Sequence, residues 1–226
     1  MPHSRQTPKT AASALVIFDL DGTLIDSRLD LAHAVNATRA QAGCGLLPHE
    51  QIFSFVGNGA PVLIRRAMGP DATEDEVRAA LEFFLDYYRH HALDDTIIYP
   101  EVGNALQRLH AAGARLAVLT NKPERISHRI LQGLAIAPLF FRIYGGNSFE
   151  HKKPHRIGID TLRAEAGATA EETWMVGDSY VDVQTARNAG VACCGVTWGF
   201  QPETFREFPP DVLVDRLEDF ADRLVS

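Results

Sequence analysis

Two aspartates set two residues apart, Asp19 and Asp21, stand at the head of the chemistry in this 226-residue chain. They lie in the run Asp19-Leu20-Asp21-Gly22-Thr23, directly after the apolar stretch Leu15-Val16-Ile17-Phe18. Side chains alternate along a strand, so both carboxylates leave on one side where the strand ends. At an effective dielectric of about 20, like charges ~4 Å apart repel by about 4 kcal/mol. A divalent cation such as Mg²⁺, which takes hard oxygen ligands and works beside phosphates, would offset that repulsion. The alternative is a strand that ends in an ordinary polar turn, since Asp and Gly are common turn residues.

Further polar residues recur at strand ends downstream. An apolar strand over residues 115–120 runs into Thr120-Asn121, and a loop carries Lys152-Lys153-Pro154. A strand over residues 173–176 runs into Gly177-Asp178-Ser179, with Asp182 one helical turn on. Each has a plainer reading: Thr120 or Asn121 as a helix N-cap, the lysines as a solvated loop, Asp178-Ser179 as a helix start. Together they make a nucleophile-type carboxylate, a hydroxyl, an amide, an ammonium and further carboxylates. Phosphoryl transfer through an acyl-phosphate needs that set.

The elements that must position these residues follow from periodicity. Strands alternate with helices at residues 101–112, 124–132, 155–166, 180–189 and from 217, with further strands at 142–145, 191–197 and 212–214. This pattern predicts a parallel α/β sheet covered on both faces, with ligands outside the carboxyl ends of its strands. One interruption stands out: residues 27–91 are helical in pattern throughout. Ser27 with Asp30 and Thr73 with Glu76 read as capping boxes, and Pro61 as a helix opener. Val77, Leu81, Phe84, Leu85 and Tyr88 form one apolar helix face. The expected division is a tail over residues 1–12, an α/β core over 13–24 and 97–226, and an inserted helical cap over 25–96.

Composition bounds the function classes. Hydrophobic residues make up 46% and charged residues 23%, as in a soluble globule. A net charge of −7 speaks against nucleic acid as the main partner. Three cysteines, with Cys193 and Cys194 adjacent and facing opposite ways, form no disulfide or zinc pattern. A reducing, cytoplasmic setting is expected, with no membrane association, as a monomer or homodimer.

In this order, the four strand-end features resemble the motifs of the haloacid dehalogenase-like phosphatase superfamily. The resemblance runs over residues 14–225 and implies a Rossmann-like core with an inserted cap. It implies that Asp19 attacks phosphorus and that Asp21 serves as acid and then base. It also implies that Thr120 and Lys153 bind the phosphoryl oxygens, with Asn121 beside the substrate. Mg²⁺ would be held by Asp19, the Asp21 backbone carbonyl and Asp178, with Ser179 and Asp182 supporting from behind. A carboxylate at position 21 separates phosphatases from the dehalogenase and phosphonatase branches.

The cap run Phe55-Val56-Gly57-Asn58-Gly59, with Leu63 and Arg66-Ala67 after it, is similar to that of phosphoglycolate phosphatases. The closing Val196-Thr197-Trp198-Gly199 is similar as well. This implies 2-phosphoglycolate as substrate, with Gly57, Asn58 and Gly59 offering backbone N–H groups and Arg66 a fork for a carboxylate. Arg65 competes with Arg66 for that role. Asn147 and Arg156 depart from the family pattern, which often has Asp and Pro there. His151 and His155 are expected on a surface loop. The alternatives are a β-phosphoglucomutase-like phosphomutase and a non-catalytic binding protein on the same fold.

Overall fold

The computed structural model describes residues 11–225. Residues 1–10 of the expected tail lie outside the described residues, and Ala11, in a short 3₁₀ turn, is buried against the core. Six strands form one parallel sheet: β1 (Leu15–Phe18), β4 (Arg115–Leu119), β5 (Phe140–Tyr144), β6 (Thr173–Gly177), β7 (Ala192–Val196) and β8 (Val212–Val214). Their order is β5-β4-β1-β6-β7-β8, so β1 sits centrally where the chain direction across the sheet reverses. All four β1 residues are fully buried. Leu15 and Ile17 join one apolar cluster, Val16 and Phe18 the other. Each such side chain contributes about 1.5–3 kcal/mol by leaving water. Cys193 and Cys194 divide between the same two clusters, and all three cysteines are free.

Register decides what meets at the strand ends. Phe18 pairs with Val118 on one side and Val176 on the other. Asp19, Thr120 and Asp178 therefore emerge within a residue of one level, at the carboxyl edge. Helices α5 (Val102–Ala111), α6 (Glu124–Gly133), α7 (Ile157–Ala166), α8 (Tyr180–Ala189) and α9 (Leu217–Val225) follow the strands. They start and stop within two residues of the sequence expectation. Among the described residues no helix is long and apolar enough to cross a membrane.

Between β1 and β4 lie α1 (Arg28–Gln41), α2 (His49–Phe53), α3 (Ala60–Met68) and α4 (Glu74–His91). Thr73 and Glu76 close the expected capping box on α4, and Pro61 lies in the first turn of α3. Val77, Phe84 and Tyr88 of the expected α4 face are buried, while Leu81 and Leu85 are partly so. Two short strands escaped the sequence reading. Strand β2 (Ile25–Asp26) pairs antiparallel with β3 (Ile97–Ile98), so entry to and exit from the helical insert run side by side. Two residues carry no periodicity to read.

The Ser27–Asp30 capping box does not form. Ser27 is the α1 N-cap without a side-chain bond to the helix, and its hydroxyl donates to Asp21. Asp30 instead accepts from the Asp95 and Thr96 N–H groups, each at 2.9 Å, and from the Thr96 hydroxyl at 2.6 Å. A buried carboxylate with three donors across the insert outcompetes a local cap.

Candidate active site

Asp19 follows β1 directly. Its Oδ1 accepts from the Leu20 N–H at 2.7 Å, and its Oδ2 lies 2.9 Å from Lys153 Nζ. Burial pushes its carboxyl up, Lys153 pulls it partly back, and neighbouring Asp182 adds to the rise, leaving it at about 6. The Lys153 side chain is 1% exposed and also meets Asp182 Oδ1 at 2.7 Å. Burial alone would lower the ammonium's proton affinity; the two carboxylates outweigh it and hold the lysine charged.

Asp21 turns to different partners. Lys122 Nζ lies 2.8 and 3.1 Å from its two oxygens, and the Ser27 hydroxyl donates to Oδ1. Lys122 also donates to Tyr88 Oη at 2.6 Å and sits 4.5 Å above that ring's centroid. Burial works against the Lys122 charge, but Asp21 and Tyr88 hold its proton above the ordinary range. Each carboxylate of the pair therefore has its own lysine, Lys153 beside Asp19 and Lys122 beside Asp21, a pairing the sequence did not indicate.

The uncompensated charge lies on the other side of Asp19. Asp19, Asp178 and Asp182 bring carboxylate oxygens within 4.8 Å of one another. Asp182 is engaged on both oxygens: Oδ1 with Lys153, Oδ2 with the Ser179 N–H and hydroxyl at 3.2 and 2.9 Å, which caps α8. Asp178 accepts from the Phe200 N–H at 2.6 Å and makes no ion pair among the described residues. Burial, then Asp182 and Asp19, drive its carboxyl well above the usual range. Three clustered carboxylates against one ammonium fit a hard divalent cation, with Asp19 and Asp178 as the available donors. Gly22, at φ +80°, makes the cluster sterically possible: a Cβ there would come within 2.3 Å of Asp178 Oδ2.

Thr120 and Asn121 are not helix caps. Pro123 holds the N-cap position of α6, and Asn147 Oδ1 accepts from the Glu124 N–H. Both Thr120 and Asn121 are buried and line a cavity between sheet edge and helical insert, together with Asp19, Asp21, Lys122, Asp178 and Ser179. Leu31, Val56, Leu63, Phe84 and Tyr88 supply its apolar wall.

The insert is seated on the core through its own carbonyls. Gln201 Nε2 donates to Val56 O at 2.9 Å, Asn121 Nδ2 to Gly57 O at 3.0 Å, and Lys152 Nζ to Asn58 O. Three core loops thus grip three consecutive residues. Gly57 and Asn58 meet the core as acceptors through their carbonyls, a contact the sequence did not indicate. Gly57 and Gly59 border the cavity, and Asn58 is not among its lining residues. Gly59 sits at φ +86°, and a Cβ there would lie 2.9 Å from the Asn121 carbonyl oxygen. Close approach explains the glycine.

Arg66 does not reach the cavity. It is exposed and donates to Phe55 O at 3.2 Å, while Arg65 pairs with Ala72 O and Glu74. Both lie away from the buried face of α3 formed by Ala60, Leu63, Ile64 and Ala67. His151 and His155 are exposed on their loop, as expected, and Arg156 pairs with Asp160 on the surface. Sequence reasoning missed Lys122, Gln201, the cap contact of Lys152 and the polar role of Tyr88. The one available signal was Lys122's position directly after Thr120-Asn121.

Comparison with known proteins agrees with this geometry. Residues 16–196 match the family model described as haloacid dehalogenase-like hydrolase. A phosphoglycolate phosphatase of Vibrio vulnificus is 39% identical over 215 residues, covering 92% of this chain and 94% of that protein. One of Pseudomonas fluorescens is 40% identical over 210 residues, covering 90% of this chain and 76% of that protein. A crystal structure of a predicted phosphoglycolate phosphatase from Haemophilus somnus 129pt superposes with a TM-score of 0.89 at 32% identity, covering 96% of this chain and 99% of that one. The chain belongs to the haloacid dehalogenase-like hydrolases. It is an enzyme of phosphatase type, and within the family its similarity runs to proteins named phosphoglycolate phosphatase.

Proposed function

We propose that the protein hydrolyses 2-phosphoglycolate to glycolate and phosphate through an aspartyl-phosphate on Asp19, with Mg²⁺ as its metal. The observation that carries this reading is the division of labour between the two aspartates. Asp19 has Lys153 and the carboxylate cluster beside it, while Asp21, in the same cavity, has Lys122 and Ser27. A carboxylate oxygen of Asp19 attacks phosphorus, and the bond from phosphorus to the ester oxygen breaks. Asp21 gives its proton to the leaving alkoxide. It then takes a proton from the water that attacks the phosphoryl group, and phosphate leaves with Asp19 regenerated. Lys153 and Thr120 hold the phosphoryl oxygens, and Asn121 fixes the cap loop against them. Asp19, the Asp21 carbonyl and Asp178 would hold Mg²⁺, which supplies charge stabilisation to the transferring group when bound. Asp182 and Ser179 keep Lys153 and the start of α8 in place. The cap over residues 25–96 shuts the cavity above the core formed by 13–24 and 97–226. Free cysteines and the absence of a disulfide pattern support a reducing, cytoplasmic setting.

Phosphate release from 2-phosphoglycolate, measured with Mg²⁺ and again after thorough chelation, tests the reading. Release that depends on Mg²⁺ is expected. Undiminished release after chelation would remove the metal from the mechanism. Isomer formation from β-glucose 1-phosphate, without free phosphate, would replace the phosphatase reading with a phosphomutase.

A further inference from the structure

Lys122 is the one lysine or arginine lining the cavity among the described residues, and the hydrolysis set out above gives it no task. Its side chain is 3% exposed. It is held between core and cap: Asp21 belongs to the loop after β1, Tyr88 to cap helix α4. The surrounding wall of Leu31, Leu63, Phe84 and Tyr88 is apolar. Keeping a cation there costs desolvation, which Asp21 and Tyr88 offset, so the lysine stays charged in an apolar surround. An ammonium has three donors, and here they face Tyr88 Oη at 2.6 Å and the two Asp21 oxygens at 2.8 and 3.1 Å. Asp21 holds the ammonium with either oxygen alone, so a ligand anion can take over the longer contact.

We propose that Lys122 selects substrates carrying a second anionic group one carbon from the ester oxygen, as the carboxylate of 2-phosphoglycolate does. This rests on the hydrolysis reading and names what chooses its substrate. Asp21 reaches the ester oxygen across a hydrogen bond of about 2.7 Å. Lys122 Nζ lies 2.8 Å from the same carboxylate. The ammonium is therefore a few ångströms from the leaving oxygen. In an O–CH₂–COO⁻ group the carboxylate oxygens lie about 3 Å from the ester oxygen, given bond lengths near those of the backbone. That span is enough for one of them to reach Lys122. Gly59 and Ala60, where α3 begins, border the same cavity, and a helix N-terminus adds partial positive charge. The exposed Arg66 is not needed for the carboxylate; the selecting cation comes from the core. An ester without the carboxylate leaves the ammonium facing a methyl group, and a site built for a polar group rejects such analogues strongly.

The test compares kcat/KM for 2-phosphoglycolate and ethyl phosphate, esters that differ at C2 by carboxylate against methyl. Parent, Lys122→Met and Lys122→Arg are assayed with Mg²⁺. Because Lys122 touches Asp21, both rates fall in Lys122→Met, and the ratio is the readout. It is expected to drop by about 30-fold or more, chiefly through KM for 2-phosphoglycolate, while Lys122→Arg keeps most of it. Equal losses on both esters would overturn the proposal and leave Lys122 acting on Asp21 alone. A parent enzyme that does not prefer the anionic ester would also overturn it, with the hydrolysis itself intact. A parent that releases phosphate from neither ester would overturn the hydrolysis reading. If Lys122→Met does not fold, Lys122→Gln, which keeps hydrogen-bonding reach without charge, is read by the same ratio.

Discussion

Asparagine at position 19 is expected to yield a protein that is inactive yet more stable than the parent in the absence of metal. The Asp19 carboxyl moves from 3.8 to about 6 because burial outweighs the attraction of Lys153. Each pKa unit corresponds to about 1.36 kcal/mol, so carrying the ionised group costs the folded state about 3 kcal/mol at neutral pH. The folded value is raised above the unfolded one, so the native state holds the proton more tightly. The associated stability is complete below about pH 4 and is lost as pH rises to about 6. Asparagine keeps the shape and does not titrate. It gives up the 2.9 Å ion pair to Lys153, which retains Asp182 at 2.7 Å. The Lys153 attraction is already contained in the raised value, so the net gain is about 3 kcal/mol near neutral pH and none near pH 4. For a chain of this size the gain corresponds to a Tm rise of about 6–12 °C. Unfolding of both proteins in EDTA, followed across that pH range beside phosphate release with Mg²⁺, gives the answer. An Asp19→Asn protein that is less stable at neutral pH, or a difference that does not grow with pH, would refute the electrostatic argument. Substantial turnover by the purified variant would refute Asp19 as nucleophile.

Replacing Asp21 by asparagine removes the proton donor while leaving Lys153 and the carboxylate cluster in place. Phosphate release should slow by about 10²–10⁴-fold, and a smaller loss would send the search for the acid elsewhere. Mg²⁺ at about a hundredfold excess over its Kd should stabilise the parent by about 2.7 kcal/mol, seen as a Tm shift. That shift should shrink as pH falls through about 6, where Asp19 takes up its proton; a pH-independent shift would place the ion outside this cluster. Gly59→Ala should fold but seat its cap poorly, because the added Cβ falls 2.9 Å from the Asn121 carbonyl oxygen. A kcat/KM loss of about tenfold or more is expected, since this extended positive-φ backbone alone costs roughly 1–3 kcal/mol for a residue with a Cβ. Parent-like kinetics would show that cap seating at this contact is unimportant.

The strand-end aspartates were legible because their meaning is local. Two residues of spacing put Asp19 and Asp21 on one side of a strand end, whatever surrounds them. The alternation of elements then predicted that Thr120, Lys153 and Asp178 share their edge, and the β1 register with β4 and β6 brings Asp19, Thr120 and Asp178 to one level. The Thr73–Glu76 cap was readable for the same reason, since its partners are three residues apart. Ser27 and Asp30 had the same spacing and failed, because partners 6 and 65 to 66 residues away offered buried bonds.

Charge balance was the part that spacing could not reach. Lys122 meets Asp21 across 101 residues and Tyr88 across 34, and no local pattern marks either pairing. Arg66 looked suited to an anion by residue type, but the apolar face of α3 turns Ala60, Leu63 and Ala67 inward and leaves the guanidinium outside. The amino-acid sequence by itself determined the sheet, the helical insert and the two aspartates that can divide nucleophile from acid, because strand and helix periods act over a few residues. Only the tertiary structure decided which cation answers which carboxylate and which charge faces the cavity. Those pairings depend on how the cap packs over the sheet edge, and burial there makes each one count.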